Sequence, residues 1–142
     1  MKNYIVDASI ILKWILGEER EPDHNIAMGM LNAWSEGYID ISAPTLWKYE
    51  VGNFLGRAFK NDAHERMDIL LNLNIKPIEL TDKMFRHCFL WMKQNSVTFY
   101  DAAYLAAAVE SGGMLVTADE KFVNKMRKEG NIYLLKNLVF DR

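Results

Sequence analysis

Short apolar runs without a helical period alternate along the whole chain with longer stretches whose apolar positions recur every three or four residues. The short runs predict strands at 3–8, 39–42, 77–80, 114–117 and 132–135. The longer stretches predict helices between them. The first, 10–16, takes Ser9 as N-cap and stops at Gly17, and the second, 23–36, carries the stripe Ile26, Met30, Ala33 and Trp34 and stops at Gly37. Pro44 fits the first turn of a third helix, 45–61, whose stripe joins Leu46, Trp47, Val51, Phe54 and Leu55. Asp62 caps a fourth, running to about 73 with Met67, Leu70 and Leu71 inward, and Thr81 caps a fifth, running to 95. Met84, Phe85, Cys88, Phe89, Leu90, Trp91 and Met92 exceed the width of one stripe in that fifth helix, so more than one of its faces is expected to be buried.

The stretch TFYDAAYLAAAVESGGMLVTADEKF, from Thr98 to Phe122, organises the rest. Ala102, Ala103, Ala106, Ala107 and Ala108 combine high helix propensity with little bulk, so this helix can lie close on a sheet and is expected at the centre of the fold. Gly112-Gly113 stops it before the strand at 114–117. A basic helix from 121 to 128, closed by Gly130, leads to the last strand and a short apolar segment reaching Phe140. Strands alternating with helices through short loops predict a mostly parallel sheet covered on both faces, a three-layer α/β/α sandwich.

Composition sharpens this reading. Half of the 142 residues are hydrophobic and a quarter are charged, which suits a single domain over 1–142 with a real core. Nothing resembles a membrane span or a signal peptide, so the expectation is a soluble, cytoplasmic protein with no membrane partner. One cysteine, Cys88, excludes an internal disulfide and a cysteine metal cage, and it reads as a small core residue. His24, His64 and His87 have no zinc-binding spacing. The net charge of −2 excludes an overall basic nucleic-acid coat but not a local one. A charged loop fills 18–23.

Four acids carry the candidate chemistry. Asp7 ends the first strand and Asp119 follows the fourth, and in an open parallel sheet all strand C-termini share the rim where ligands bind. Asp101 lies in the first turn of the alanine-rich helix behind Thr98 as N-cap, where it also suits the helix dipole as a plain surface acid. Glu50 interrupts the apolar stripe of the third helix, with Asn53 one turn on, and it either pairs with Lys48 or Arg57 or turns to the same rim. Like charges 4 Å apart repel by roughly 4 kcal/mol at an effective dielectric of 20, so four carboxylates at one point must share protons or hold a cation. An oxygen-only set without His or Cys points to Mg²⁺ or Mn²⁺ and to chemistry at a phosphate.

VDASIILKW (6–14), the pattern Pro44-x-Leu46-x-x-x-Glu50-Val51-x-Asn53, YDAAYLAAA (100–108) and VTADEKF (116–122) resemble the successive signature segments of PIN-domain ribonucleases, particularly small VapC-type toxins of toxin–antitoxin pairs. One segment alone is a weak signal; the ordered set, spanning almost the whole chain, is specific. The resemblance implies metal-dependent hydrolysis of RNA with Asp7, Glu50, Asp101 and Asp119 as metal ligands. Ser9 and Thr117 follow as supporting hydroxyls and Asn53 as a supporting amide. Glu120-Lys121 stands where some relatives carry a further acid. Lys13 and Lys121 are candidates to meet phosphates, or are simply solvated. The implied partner is an antitoxin whose C-terminal segment lies in an apolar groove and plugs the acids with an arginine or lysine. Excess apolar residues in the third and fifth helices, among them Trp47, Phe54, Phe59, Phe89 and Trp91, suggest a homodimer, or else fill the core.

A housekeeping RNA-processing nuclease without an antitoxin fits the same residues. A phosphate-linked signalling domain would need paired acids after the first strand, and Asp7 has no acidic neighbour. A PIN-like protein that only binds its partners would not need the complete acid set.

Overall fold

The structure, a computed structural model, describes residues 1–17 and 21–139. Half of the charged loop at 18–23, residues 18–20, and the end of the apolar tail at Phe140 therefore lie outside the described residues. In chain order the elements are β1 (Lys2–Val6), α1 (Ala8–Ile15), α2 (His24–Ser35), β2 (Ile39–Pro44), α3 (Trp47–Ala58), α4 (Ala63–Leu71), β3 (Lys76–Ile78), α5 (Asp82–Asn95), α6 (Phe99–Ser111), β4 (Met114–Thr117), α7 (Glu120–Met126) and β5 (Ile132–Leu134). Short 3₁₀ turns occupy Arg127–Glu129 and Leu135–Asn137.

Among the described residues five strands form one sheet in the order β3-β2-β1-β4-β5, and every neighbouring pair is parallel. The chain builds outward from β1 to β3, then crosses back to lay β4 on the other side of β1. Right-handed crossovers place α1 to α4 on one face and α5 to α7 on the other, which is the expected α/β/α sandwich. Contacts of α1 with α2, α3 and α4, and of α6 with α5, agree with this layering. The reversal leaves a switch point between the C-terminal ends of β1 and β4.

The alanine-rich helix is central. Every residue of α6 from Ala102 to Ala108 is buried, so no face of that stretch sees water, and the helix packs on β1, β2 and β4 beneath α5. Thr98 caps its start through the Asp101 amide, 3.1 Å away. Gly112 ends it in the left-handed conformation (φ 69°) that a C-cap glycine adopts without strain.

Several expectations give way to packing. Ser9 is not the cap of α1: Asp7 is, because its extended backbone (φ −98°, ψ −179°) lets the carboxylate take up the Ile10 amide. Pro44 is the last residue of β2, paired in register with Ile78, and α3 begins three residues later. A proline is tolerated there because it sits at the strand's end, where a missing N–H costs the ladder little. β3 starts one residue earlier than expected and ends at Ile78, and α7 shortens to Met126 before a 3₁₀ turn that Gly130 closes. Asp62 makes no side-chain cap on α4; its carboxylate instead holds Arg66, 3.0 Å away. Leu71 faces outward.

The expected burial of more than one face of α5 is also corrected. Only Met84, Cys88 and Trp91 are buried, one stripe at helical spacing, while Phe85, Phe89, Leu90 and Met92 are exposed. Trp47 and Trp91 fill the core, so the excess apolar surface divides between core and outer face.

Gly113 marks the closest approach in the fold. A Cβ built there would lie 2.6 Å from Ile5 Cδ1 and 2.8 Å from the Asn3 carbonyl oxygen, and the carbonyl belongs to β1 and cannot swing away. Gly113→Ala is therefore expected to destabilise the fold by on the order of 1–3 kcal/mol, as overpacking does, measured by denaturant unfolding. An unchanged midpoint would show that β1 and β4 can separate freely at that end.

Candidate active site

Four helices begin near the C-terminal rim of the sheet, and each brings one of the acids. Asp7 caps α1, Glu50 lies in the first turn of α3, Asp101 lies in the first turn of α6, and Asp119 caps α7 through the Phe122 amide at 3.0 Å. A helix N-terminus favours a single carboxylate through its dipole. The difficulty for the fold lies in placing them together.

Asp7 is the most constrained of the four, 9 % exposed at the switch point. Both of its oxygens are held. Oδ1 accepts the Ser9 hydroxyl at 2.5 Å and the Ile10 amide at 3.3 Å, and Oδ2 accepts the Thr117 hydroxyl at 2.5 Å. Each hydroxyl in turn accepts a backbone amide from the loop after β4: Ala118 donates to Ser9 Oγ at 3.0 Å and Asp119 donates to Thr117 Oγ1 at 3.1 Å. Two parallel relays thus run from the β4–α7 loop through a hydroxyl into one carboxylate of β1. Because each hydroxyl spends its single proton on Asp7, Ser9 and Thr117 act on that carboxylate and fix its plane.

Glu50 does not pair with Lys48 or Arg57. Its Oε1 accepts the Tyr104 hydroxyl at 2.6 Å, which joins α3 to α6 and gives an acid in an apolar stripe the partner it needs. Nothing in YDAAYLAAA singles out Tyr104 beforehand, yet it stands three residues after Asp101, the spacing that stacks side chains on one helix face.

The proton affinities show how the acids feel one another. Burial pushes Asp7 from 3.8 up to about 6, partly opposed by its three hydrogen bonds, with the Asp101 charge pushing the same way. Burial also raises Glu50, against the pull of Tyr104 and with the further push of Asp101. Asp101 is itself raised, by burial first and then by Asp119, while Thr98 and Lys125 lower it. Burial and then the hydrogen bond to Glu50 hold the Tyr104 phenol far above its usual range, so it remains a donor. Asp101 is thus the acid that connects the set.

Of the remaining candidates, Asn53 is exposed on α3 in a cleft shared with Leu46, Tyr49, Glu50 and Tyr100. Lys13 is withdrawn: it is 5 % exposed, and its Nζ lies 2.8 Å from both Glu21 Oε2 and the Pro22 carbonyl oxygen, so it cannot meet a phosphate. Glu120 is exposed and 3.7 Å from Lys136. Lys121 is exposed as well.

A divalent cation suits this donor set. All the candidate ligands are oxygens, and the raised affinities of Asp7, Glu50 and Asp101 mean that each lacks sufficient compensating positive charge. Among the described residues no three His, Cys, Asp or Glu side chains form a ready-made metal cage.

The acids thus line one rim at the switch point of a parallel α/β/α sheet. The chain belongs to the PIN domain family, which it matches over residues 4–128. No curated protein matches it by sequence. In solved structures it is similar to a Pyrobaculum aerophilum protein (22 % identity, TM-score 0.66, covering 95 % of this chain and 92 % of that one). It is also similar to a chain of VapBC2 from Rickettsia felis bound to a promoter DNA fragment (14 %, 0.67, 93 % and 96 %) and to one of VapBC-1 from nontypeable Haemophilus influenzae (12 %, 0.69, 95 % and 99 %). At these identities the likeness concerns the fold.

The charge on Asp7 works against the metal-free fold. Its folded pKa lies above the unfolded value of 3.8, so the folded state binds the proton more tightly and stability falls as pH rises from about 4 through about 6. That rise in pKa corresponds to roughly 3 kcal/mol at neutral pH. Asp7→Asn should flatten this window and, in chelator at pH 7, melt no lower than the parent, the gain being reduced because an amide accepts at only one of the two positions. Thermal melts from pH 4 to 8 would show it; a variant that unfolds at neutral pH would mean that the hydroxyl relays outweigh the buried charge.

Proposed function

We propose that the chain is a divalent-metal-dependent endoribonuclease and the toxin of a VapBC-type toxin–antitoxin pair. The observation that carries this reading is the buried, fully oriented Asp7 at the rim of a PIN domain, with Asp101 electrostatically coupled to it, to Glu50 and to Asp119. Asp7 and Asp101 are the residues to hold Mg²⁺ or Mn²⁺, with Glu50 and Asp119, each coupled to Asp101, completing the acidic set. When bound, such an ion lowers the pKa of a coordinated water and neutralises charge building on the phosphate. The chain's own part is orientation. Ser9 and Thr117 keep both Asp7 oxygens in one plane, Thr98 fixes the turn that carries Asp101, and Tyr104 holds Glu50 from the far side.

A single-stranded or looped RNA suits the site, because splayed nucleotides can bring a phosphate to a rim that a duplex cannot enter. The toxin reading draws support from the structural neighbours, among which are VapBC proteins and a toxin–antitoxin complex from Klebsiella pneumoniae. It draws further support from the exposed Phe85, Phe89 and Leu90 on α5, an apolar face that suits a homodimer or an antitoxin segment. A basic side chain from that antitoxin would occupy the charge position of the ion.

Purified protein is expected to cleave RNA with Mg²⁺ or Mn²⁺ and to stop in excess EDTA. Asp7→Asn and Asp101→Asn should each lose more than about a hundredfold of that activity, beyond what loss of an outer hydrogen-bond partner costs. Cleavage in EDTA, or an active Asp101→Asn enzyme, would overturn the mechanism. Co-purification with the product of an adjacent small gene that silences cleavage would establish the toxin role. An active nuclease with no such inhibitor would be a housekeeping enzyme instead.

A further inference from the structure

Beside the acids, the N-terminal turns of α3 and α6 enclose a cleft of about 500 Å³ lined by Leu46, Tyr49, Glu50, Asn53 and Tyr100. That volume falls within the range of small-ligand sites, roughly 300–1,000 Å³. We propose that this cleft is a nucleobase subsite in which Tyr49 and Tyr100 stack on a base next to the phosphate at the acids and Asn53 reads that base's edge. The inference rests on the ribonuclease reading and extends it to how the strand is held.

Position makes the first part of the case. Tyr49 immediately precedes Glu50 and Tyr100 immediately precedes Asp101, so each ring stands about 100° around its helix from a site acid. A nucleotide whose phosphate meets the acids has its own base or its neighbour's within reach of these rings. Tyr49 is 77 % exposed and Tyr100 58 % exposed, which leaves two aromatic faces open at the edge of a polar site. Tyr100 is also braced: Phe99 meets it edge-on, with ring centroids 6.0 Å apart at 83°. Asn53 lies four residues after Tyr49, on the same face of α3, so a donor and an acceptor for a base edge stand beside the ring.

Chemistry selects the occupant. Among the described residues no lysine or arginine lines the cleft, so it does not read as a phosphate pocket. An apolar helix from a protein partner would bury the Asn53 amide without a partner for it. A heteroaromatic base offers a flat face to the tyrosines and a hydrogen-bonding edge to the amide.

The test uses the full chain and its Tyr49→Ala, Tyr100→Ala, Tyr49→Phe, Tyr100→Phe and Asn53→Ala variants. Binding of a short fluorescein-labelled single-stranded RNA is read by anisotropy with Ca²⁺ in place of Mg²⁺, beside a matching duplex, and cleavage is followed separately with Mn²⁺. Each alanine variant at a tyrosine is expected to bind the single strand about 5- to 100-fold more weakly, with the loss in KM rather than kcat, as removal of a stacking platform does. The phenylalanine variants should bind like the parent, and Asn53→Ala should alter base preference. Alanine variants that bind and cleave like the parent would overturn the subsite while leaving the ribonuclease reading intact. A chain that cleaves no RNA yet binds the single strand through both tyrosines would do the opposite, upholding the subsite and overturning the ribonuclease reading. Failure of the parent to bind, or variants that lose only self-association or a protein partner, would also overturn the subsite.

Discussion

The structure depends on one buried carboxylate and the two hydroxyls that hold it. Asp7 sits where β1 ends, and Ser9 and Thr117 connect it to the loop after β4 through the Ala118 and Asp119 amides. These bonds close the sheet's switch point on the polar side, as the buried pairing of Ile5 with Leu115 and Val6 with Val116 closes it on the apolar side. A carboxylate in that position is costly unless hydrogen-bonded, and the fold supplies three donors without supplying a full counter-charge. The shortfall is visible as the upward shift of Asp7 to about 6.

That shortfall spreads through the neighbours. Asp101 adds to the burden on Asp7 and on Glu50 and receives its own from Asp119. Each acid is tolerable alone because it opens a helix, and the dipole of that helix is satisfied by one negative charge. Together they leave a rim whose negative charge is under-compensated, and functional sites commonly retain strain of this kind against the stability of the whole. The PIN domain fold is the frame that brings four helix starts to one place.

Much of this is legible in the chain. The strand at 114–117 and the helix capped by Thr98 lie where the sequence puts them because they carry strong local signals: a cap, an alanine run and a double glycine. The rim itself follows from topology, since parallel strands share an end and Asp7 and Asp119 both lie just past one. Other features are not legible, for physical reasons. The apolar content of α5 shows how much hydrophobic surface exists but not whether anything covers it, so the pattern assigns Phe85, Phe89 and Leu90 to an interior they do not occupy. Pro44 suits a first turn and a strand's end equally, and only pairing with Ile78 decides between them. Lys13 reads as phosphate-facing or solvated because its partner, Glu21, stands eight positions away outside its helix, and nothing marks Tyr104 because its bond to Glu50 spans 54 positions.

The same wiring sets an order in time. Thr117 is 110 positions from Asp7, and Asp101 and Asp119 are about as far, so the rim is made almost entirely of distant contacts. Such contacts form late, after the entropy of closing long loops has been met. A chain emerging from the ribosome has β1, β2 and β3 available to pair well before β4 exists, because those strands are neighbours in both sequence and sheet. Until β4 inserts beside β1, Asp7 has no Thr117 and Asp119 has no place to stand. Assembly of the acids is thus a late step: a chain made only as far as β3 carries Asp7 and Glu50 but neither Asp101 nor Asp119.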